Sequence, residues 1–187
     1  LTPTICRMKV SAPRIAEAAK PGQFLIVIDN PKGERIPLTI SDYDAVAGTV
    51  DIVTQSVGAS TMKIVAKNPG DCFSDVVGPL GKHSDFIDLA PEELKNLSFV
   101  FIAGGVGTAP VYPQAKWLHE HGAHVEVIIG ARNKELLIYT EQMEKVCDKL
   151  HLCTDDGSVG FHGVGTALLK DLWVYKVNKL KEMGMNA

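Results

Sequence analysis

The sequence predicts an antiparallel β-barrel followed by a parallel-sheet α/β domain, and three observations carry this prediction. Short strand-like runs separated by Pro-Gly and Asn-Pro-Gly turns fill the first half of the chain, as is typical of antiparallel sheets. Strand and helix patterns alternate from about residue 96 onward, as in parallel sheets covered by helices. The change from the strand-rich pattern to the alternating strand and helix pattern falls near 88–96. We therefore predict domains at 1–92 and 93–172.

The individual elements follow from the same patterns. In the first half we predict strands at 23–29, 35–41, 49–55 and 71–77, and one helix at 60–66. In the second half we predict strands at 98–103, 124–129 and 149–154, and helices at 111–121, 135–147 and 164–172. The strand at 35–41 contains Pro37, which a central strand does not accept, so we expect this strand to be an edge.

Composition excludes several classes of protein. With 45% hydrophobic residues, the 187-residue chain can bury a substantial core. The net charge of −3 and the lack of a dense Lys/Arg run argue against nucleic acid as a partner. The longest apolar stretches are far shorter than the roughly 20 residues that span a bilayer, so we expect no membrane span and a cytoplasmic protein.

Cysteine spacing argues against a metal centre within this chain. The cysteines are Cys6, Cys72, Cys147 and Cys153. They form no C-x-x-C pair and no cluster-type spacing, so we expect buried thiols and no metal site.

The most informative segment runs from an apolar strand at 98–103 into a glycine turn and then into a helical pattern. The turn carries Gly104, Gly105 and Gly107, and glycine lets a backbone turn tightly and approach a ligand closely. We expect Thr108 to cap the helix and Pro110 to lie just inside it. A helix start of this kind favours an anion, usually a phosphate.

Two further loops should lie beside this turn, because open parallel sheets bind ligands at the carboxyl ends of their strands. One strand ends in Gly130-Ala131-Arg132, and another leads into Asp155-Asp156-Gly157-Ser158. The glycine turn departs from the G-x-G-x-x-G dinucleotide pattern, and no carboxylate ends the second strand. Arg132 either faces a ribose phosphate or is a solvated strand-end residue. The Asp-Asp-Gly loop either contributes to a site or is an ordinary turn.

The first half offers a second candidate surface. Arg35 begins a strand that continues through Thr39. This strand is either a solvated edge or a strand whose backbone faces a planar heterocycle while Arg35 meets a diphosphate. Gly58-Ala59-Ser60-Thr61 then begins the predicted barrel helix, which is again a geometry suited to phosphate. One such helix start in each half suggests two bound nucleotides.

Taken together, the motifs resemble those of a known superfamily. In chain order they read R-x-P-L-T-I, G-A-S-T, G-P-L-G, A-G-G-V-G-x-A-P, G-A-R and T-D-D-G-S. This set, between residues 21 and 172, resembles the ferredoxin-NADP reductase superfamily. Within it, the set is most similar to the flavin subunits of the dihydroorotate dehydrogenase electron-transfer protein, sulfide dehydrogenase and NADH-dependent ferredoxin:NADP oxidoreductase. The resemblance implies a flavin-binding barrel followed by a nucleotide-binding α/β domain, with FAD and NAD(P)H as cofactors.

The resemblance also assigns residues to these cofactors. It implies that FAD is held through its ring and diphosphate by Arg35, Pro37, Leu38 and Thr39 and through its phosphates by Gly58, Ser60 and Thr61. It implies that the NAD(P) diphosphate turn is shaped by Gly104, Gly105, Gly107, Thr108 and Pro110, with Arg132, Asp155, Asp156 and Gly157 near the ribose or adenosine end.

The implied function is electron transfer from NAD(P)H through flavin to an iron–sulfur centre or a partner subunit. The partner is expected to be a larger catalytic subunit or a ferredoxin-like acceptor. No Ser-His-Asp, Cys-His or paired-carboxylate set in the sequence demands a different reaction, so we expect no catalytic side chain. The alternative is a truncated nucleotide-binding subunit with a regulatory or scaffolding role and no redox turnover. The choice between NAD and NADP stays open.

The end of the chain departs from the pattern of the superfamily members it resembles. Such proteins continue to a G-P-x-x-M segment and a cysteine-rich tail that carries a [2Fe-2S] cluster. Segment 173–187 contains neither, reads as a basic amphipathic end and is left unassigned. A [2Fe-2S] cluster is therefore expected only if a cysteine-rich tail is missing from this chain.

Overall fold

The computed structural model of the protein describes residues 1–182, apart from the side chains at 177 and 180–182. The end of the unassigned segment 173–187 therefore lies outside the described residues. The strands are β1 (Ile5–Ser11), β2 (Phe24–Ile28), β3 (Arg35–Asp44), β4 (Thr49–Gln55), β5 (Asp75–Leu80), β6 (Ser98–Gly104), β7 (His124–Ala131), β8 (Lys149–Thr154) and β9 (Phe161–His162). The α-helices are α1 (Pro13–Ala18), α2 (Ala59–Val65), α3 (Pro91–Lys95), α4 (Thr108–Glu120), α5 (Thr140–Glu144) and α6 (Gly165–Glu182).

The first five strands form an antiparallel sheet in the order β1-β4-β3-β2-β5. The sheet curls around a single core, because all five strands and both of the helices α1 and α2 contribute to it. Its central buried residues are Ile15, Leu25, Val27, Ile40, Val50, Ile52 and Ile64. The edge strands add Met8, Val10 and Val76. This part of the chain, called the first lobe below, confirms the antiparallel barrel-like prediction.

Strand β3 changes neighbours halfway along its length. Residues Arg35 to Thr39 pair with β2, whereas pairing with β4 begins only at Ile40, where a bulge interrupts the register before Asp42. Pro37 therefore lies in the half of β3 that has a strand on one side. The expectation of an edge strand is wrong for β3 as a whole, which lies in the middle of the sheet, but it holds for this half.

The last four strands form a parallel sheet in the order β6-β7-β8-β9. Helices cover both faces of this sheet. On one face the buried core includes Leu118 of α4 and Met143 of α5, and on the other Leu168 of α6 packs against Ile128 and Cys153. This second lobe confirms the predicted parallel α/β architecture. Among the described residues, no helix has the length and apolar character needed to cross a bilayer.

Several elements differ from the sequence prediction. Strand β1 and helix α1 were not predicted, so 60–66 is not the sole helix of the first lobe. Strand β5 begins at Asp75, later than the predicted 71–77. The predicted helix at 135–147 is a short 3₁₀ turn followed by the five-residue α5. Helix α6 continues past 172 into the unassigned segment.

The thiols are free, as expected, but only two of them are buried. Cys147 and Cys153 are buried, Cys6 is half-buried and Cys72 is exposed. The expectation of buried thiols is therefore wrong for Cys72.

Candidate functional site

A cleft of about 630 Å³ opens between the two lobes at the carboxyl ends of β6, β7 and β8. Its volume is in the range of sites that hold a small molecule or cofactor. The second lobe contributes Gly104, Gly105, Val106, Gly130, Ala131, Arg132, Leu136, Asp155 and the segment from Gly163 to Thr166. The first lobe contributes Thr4, Ile5 and Gln55. The strand ends meet here because Gly104 pairs with Gly130, and Gly130 pairs with Cys153.

The glycine turn presents bare backbone to this cleft. Gly105 has a φ of 52°, a left-handed conformation that favours glycine, and a 3₁₀ turn over Gly105–Gly107 leads directly into α4. A Cβ atom added at Gly105 or Gly107 would meet no other atom within 4 Å. The backbone can therefore be approached closely by a ligand on this side.

Thr108 does not cap the helix as expected. Gly107 already has helical angles, with φ −65° and ψ −9°, so the helical path begins before Thr108 and carries its side chain inward. Thr108 is fully buried, and within residues 1–182 its hydroxyl has no hydrogen-bond partner. Gly107, Thr108 and Pro110 do not line the cleft.

One of the two polar loops lines the cleft with all three of its residues, from Gly130 to Arg132, and the other lines it only with Asp155. Arg132 and Asp155 are exposed and line the cleft, and the backbone N–H of Asp155 donates to the carbonyl of Ala131 at 3.1 Å. Asp156 and Gly157 do not line it. The hydroxyl of Ser158 lowers the pKa of the Asp156 carboxyl, which is engaged within its own turn.

Sequence reasoning missed several cleft residues. The segment from Gly163 to Thr166 begins α6 and repeats the pattern of glycines at a helix start, which was an available signal. A Cβ atom at Gly165 would lie 3.0 Å from Ile102 Cγ2, so a small residue is needed for close packing. Thr4, Ile5 and Gln55 carried no such signal, because they belong to the other lobe.

A second surface lies on the first half of β3. Arg35 and Pro37 are exposed and Thr39 is half-buried, whereas the intervening Ile36 and Leu38 pack against the core of the first lobe. Exposed and packed side chains alternate in this way along a strand that has one face against the core and the other toward solvent. Leu38 can therefore meet a ligand on the exposed face only through its backbone.

A pocket of about 310 Å³, called the α2 pocket below, lies between the loop 29–34 and α2. Ser60, Lys63, Lys32 and Glu34 are among the residues that line it. The Ser60 hydroxyl donates to the carboxylate of Glu34.

Thr61 holds the residues that lead into α2. Gly58 occupies the N-cap position of this helix. Thr61 Oγ1 accepts hydrogen bonds from the backbone N–H groups of Val57 and Gly58, each at 3.0 Å. These two donors precede the first turn of α2, whose own N–H groups begin at Ala59.

Comparison with known proteins places these features in a wider context. No protein-family model matches the chain. A Clostridium beijerinckii protein named "Uncharacterized protein in adh 3'region" is 56% identical over 172 residues, which cover 92% of this chain and 58% of that protein. The Thermotoga maritima "Dihydroorotate dehydrogenase B (NAD(+)), electron transfer subunit homolog" is 39% identical over 165 residues, covering 88% of this chain and 55% of that protein. The chain thus spans little more than half the length of these relatives.

Solved structures agree with this similarity. The structure of an NADH-dependent reduced ferredoxin-NADP oxidoreductase superposes with a TM-score of 0.82 at 35% identity, covering 92% of this chain and 59% of that one. A ferredoxin-NADP⁺ reductase from Plasmodium falciparum in complex with 2'P-AMP superposes with a TM-score of 0.67 at 15% identity, covering 94% of this chain and 78% of that one. The second likeness concerns the fold alone.

Proposed function

Because this chain belongs to the ferredoxin-NADP reductase superfamily, we propose that it is the flavin- and nucleotide-binding part of an NAD(P)H-dependent electron-transfer subunit. One observation carries the proposal. The lobes present two separate surfaces suited to nucleotides, and a cleft at the end of the parallel sheet lies between the lobes. A scaffold that binds one ligand would need only one of these surfaces.

The first lobe is proposed to bind FAD. Arg35 offers an exposed guanidinium, whose planar fork suits a diphosphate, at the start of the one-sided half of β3. Lys32 and Lys63 add positive charge to the α2 pocket. The residues proposed to contact FAD are Arg35, Pro37, Leu38, Thr39, Gly58, Ser60 and Thr61.

The second lobe is proposed to bind NAD(P)H. The open space beside Gly105, which lines the cleft, is a cradle that any side chain would begin to fill, which fits the approach of a diphosphate to backbone N–H groups. Arg132 and Asp155 line the same cleft and would meet the ribose end. The residues proposed to form or support this site are Gly104, Gly105, Gly107, Thr108, Pro110, Arg132, Asp155, Asp156 and Gly157.

The two lobes have distinct tasks in this proposal. A bound flavin would accept a hydride from NAD(P)H and give up electrons singly, so the cofactor supplies the redox chemistry. The protein binds both nucleotides, orients their rings across the cleft and excludes water from between them. The electrons would pass to a larger catalytic subunit or a ferredoxin-like acceptor, consistent with the electron-transfer subunits among the relatives.

Flavin titration followed by anaerobic reduction tests this proposal. The purified full chain is titrated with FAD, and the bound flavin is then mixed with NADH and separately with NADPH. We expect one FAD per chain and loss of the oxidised flavin absorbance with at least one nucleotide. A protein that takes up no FAD, or whose bound FAD is reduced by neither nucleotide, would contradict the redox role and favour a regulatory or scaffolding subunit.

A further inference from the structure

The lobes contact each other through the second half of β3, the strand whose first half carries the proposed flavin surface. Ser41 and Asp42 lie at the bulge that separates these halves. Lys116 Nζ of α4 forms an ion pair with Asp42 Oδ1 at 2.9 Å. Although burial alone would lower the pKa of Lys116, its hydrogen bond to Asp42 raises that pKa. A shift of α4 relative to β3 would therefore break a charged contact.

Tyr139 makes the most buried contact between the lobes. Only 2% of its surface is exposed. Of the residues that the structure describes, it is the one non-glycine residue with a positive φ, at 62°. Such a conformation costs about 1–2 kcal/mol for a residue with a side chain, so it persists where packing holds it in place. Its side chain packs with Ile5 and Val53 of the first lobe and with Ala109 of the second.

The contacts of Tyr139 form a continuous polar and aromatic chain. Its hydroxyl donates to Ser41 Oγ at 3.3 Å, and the buried Ser41 hydroxyl donates to the carbonyl of Asp51 at 3.0 Å. The Arg7 guanidinium lies 5.5 Å from the Tyr139 ring centroid, and the Tyr112 ring lies 5.2 Å from it. Burial raises the pKa of the Tyr139 phenol, so the hydroxyl keeps its proton and remains a donor.

The same contacts border the cleft. Tyr139 belongs to the loop that carries Arg132 and Leu136, which line the cleft. Ile5 and Val106 also line the cleft, and both pack in the apolar cluster that includes Tyr139. A movement of Tyr139 would therefore displace one wall of the cleft relative to β3.

We propose that Tyr139 is a positioning residue that holds the nucleotide turn of the second lobe at a fixed distance from the flavin surface of β3. The inference rests on the proposed function and adds a residue that lines neither the cleft nor the α2 pocket. Hydride transfer depends steeply on the separation of the reacting atoms, and a misplacement of about 1 Å can cost on the order of 100-fold in rate. Loss of the Tyr139–Ser41 contact should therefore slow flavin reduction more than it weakens the binding of either nucleotide.

Three variants isolate this contact. Tyr139→Phe removes the donor, Ser41→Ala removes the acceptor, and Tyr112→Phe is the matched control because it removes a hydroxyl from the neighbouring ring. At saturating nucleotide we expect Tyr139→Phe and Ser41→Ala each to slow flavin reduction by about 10-fold. The double variant should be no slower than Ser41→Ala, because Ser41→Ala already removes the Tyr139 contact together with the hydrogen bond to Asp51. FAD affinity and the control variant should stay within about twofold of the wild type.

A distance measurement without any cofactor provides the second readout. Nitroxide labels are placed at the exposed Cys72 of the first lobe and at Glu120→Cys on α4, with Cys6→Ser to remove the half-buried thiol. Pulsed electron paramagnetic resonance should give a narrow distance distribution in this labelled background and a broader one when Tyr139→Phe or Ser41→Ala is added. If one of the two variants does not fold, the other answers the same question.

The outcomes separate this inference from the function on which it rests. If the wild type is reduced by NAD(P)H but both variants are reduced at its rate, or their distance distributions are unchanged, the positioning role is wrong and the proposed function stands. If the wild type binds FAD and neither nucleotide reduces it, the proposed function fails and the positioning role fails with it, whatever the distances show.

Discussion

The two proposed nucleotide surfaces differ in how far the protein's own side chains already occupy them. In the second lobe, Gly105 and Gly107 present backbone to open space. In the first lobe, Thr61 accepts the N–H groups of Val57 and Gly58, just before α2, and the Ser60 hydroxyl donates to Glu34. A nucleotide could therefore approach Gly105 without rearrangement, whereas a phosphate at the start of α2 would meet a hydroxyl and a carboxylate that already bind each other.

This difference indicates which residues of the first lobe should contribute most to FAD affinity. The start of α2 should gain little from a phosphate, because a phosphate beside Ser60 would lie close to the Glu34 carboxylate, which repels it. Arg35 lies outside these contacts, on the exposed face of β3. We therefore expect FAD binding to depend more on Arg35 than on the start of α2.

The largest effect is expected from Arg35→Ala. Removal of a charge-assisted contact to a diphosphate should weaken FAD binding by on the order of 10- to 100-fold. Fluorescence titration with FAD measures this affinity, and Arg14→Ala, which removes an exposed Arg from α1 in the same lobe, is the matched control. An unchanged affinity for FAD in Arg35→Ala would show that the flavin does not bind to this face of β3.

Gly105→Ala should have the next largest effect, and it should act on the other nucleotide. The added methyl group enters the space that the diphosphate would use, so we expect NAD(P)H to bind about 10-fold more weakly and FAD to bind as before. Gly70→Ala is the matched control, since Gly70 also has a positive φ, at 96°, and open space around its Cβ position. Both changes should lower the free energy of unfolding by a similar amount, about 1 kcal/mol.

Titration calorimetry with each nucleotide separates strain from binding in this pair. An equal loss of NAD(P)H affinity in Gly70→Ala and Gly105→Ala would show that backbone strain, and not contact with the nucleotide, is responsible.

A smaller effect of opposite sign is expected from Glu34→Gln. Its carboxylate holds Ser60 and repels an incoming phosphate, so its neutralisation should tighten FAD binding by about threefold. The gain should shrink as salt screens the repulsion. Glu17→Gln on α1 removes an exposed charge from the same lobe and should leave the affinity unchanged. Weaker FAD binding in Glu34→Gln would instead make Glu34 part of the site.

Glu126 should have the smallest effect on nucleotide binding, because it lies near the amino end of β7, away from the cleft. Burial alone would raise its pKa, but hydrogen bonds from Lys176, His151 and His124 lower it to about 2. Because the folded pKa lies below the ordinary value of 4.5, the stabilisation is present above that value and is lost as the pH falls toward 2.

Urea unfolding between neutral and acid pH checks this prediction. The wild type should lose more stability than Glu126→Gln across the acid range, by up to about 3 kcal/mol. Both proteins should bind FAD and NAD(P)H equally well at neutral pH. Parallel stability curves for the two proteins would contradict this assignment.

Local sequence signals were sufficient for structural features that are built from consecutive residues. The glycine turn from Gly104 to Gly107 and the outward face of β3 both follow from spacing and residue type. Thr108 was misplaced because the 3₁₀ turn enters the helix without a break, which a capping pattern does not reveal.

The parts that depend on distant contacts could not be predicted. Strand β1 alternates apolar residues with Arg7 and Lys9, and both cations pair with the buried Asp51 on β4. Because Asp51 is distant in sequence, Arg7 and Lys9 hide the strand pattern when the sequence is considered alone. Tyr139 reaches Ser41 across 98 positions of the chain, so its role depends on how the two lobes pack.

A crystal structure of the full chain with FAD and an oxidised nicotinamide nucleotide would locate both proposed sites at once. We predict that the flavin ring lies on the exposed edge from Arg35 to Thr39, that the second diphosphate lies beside Gly104 and Gly105, and that both nucleotides meet in the same cleft. FAD bound at any other surface, or a nicotinamide nucleotide whose diphosphate avoids the glycine turn, would contradict this prediction.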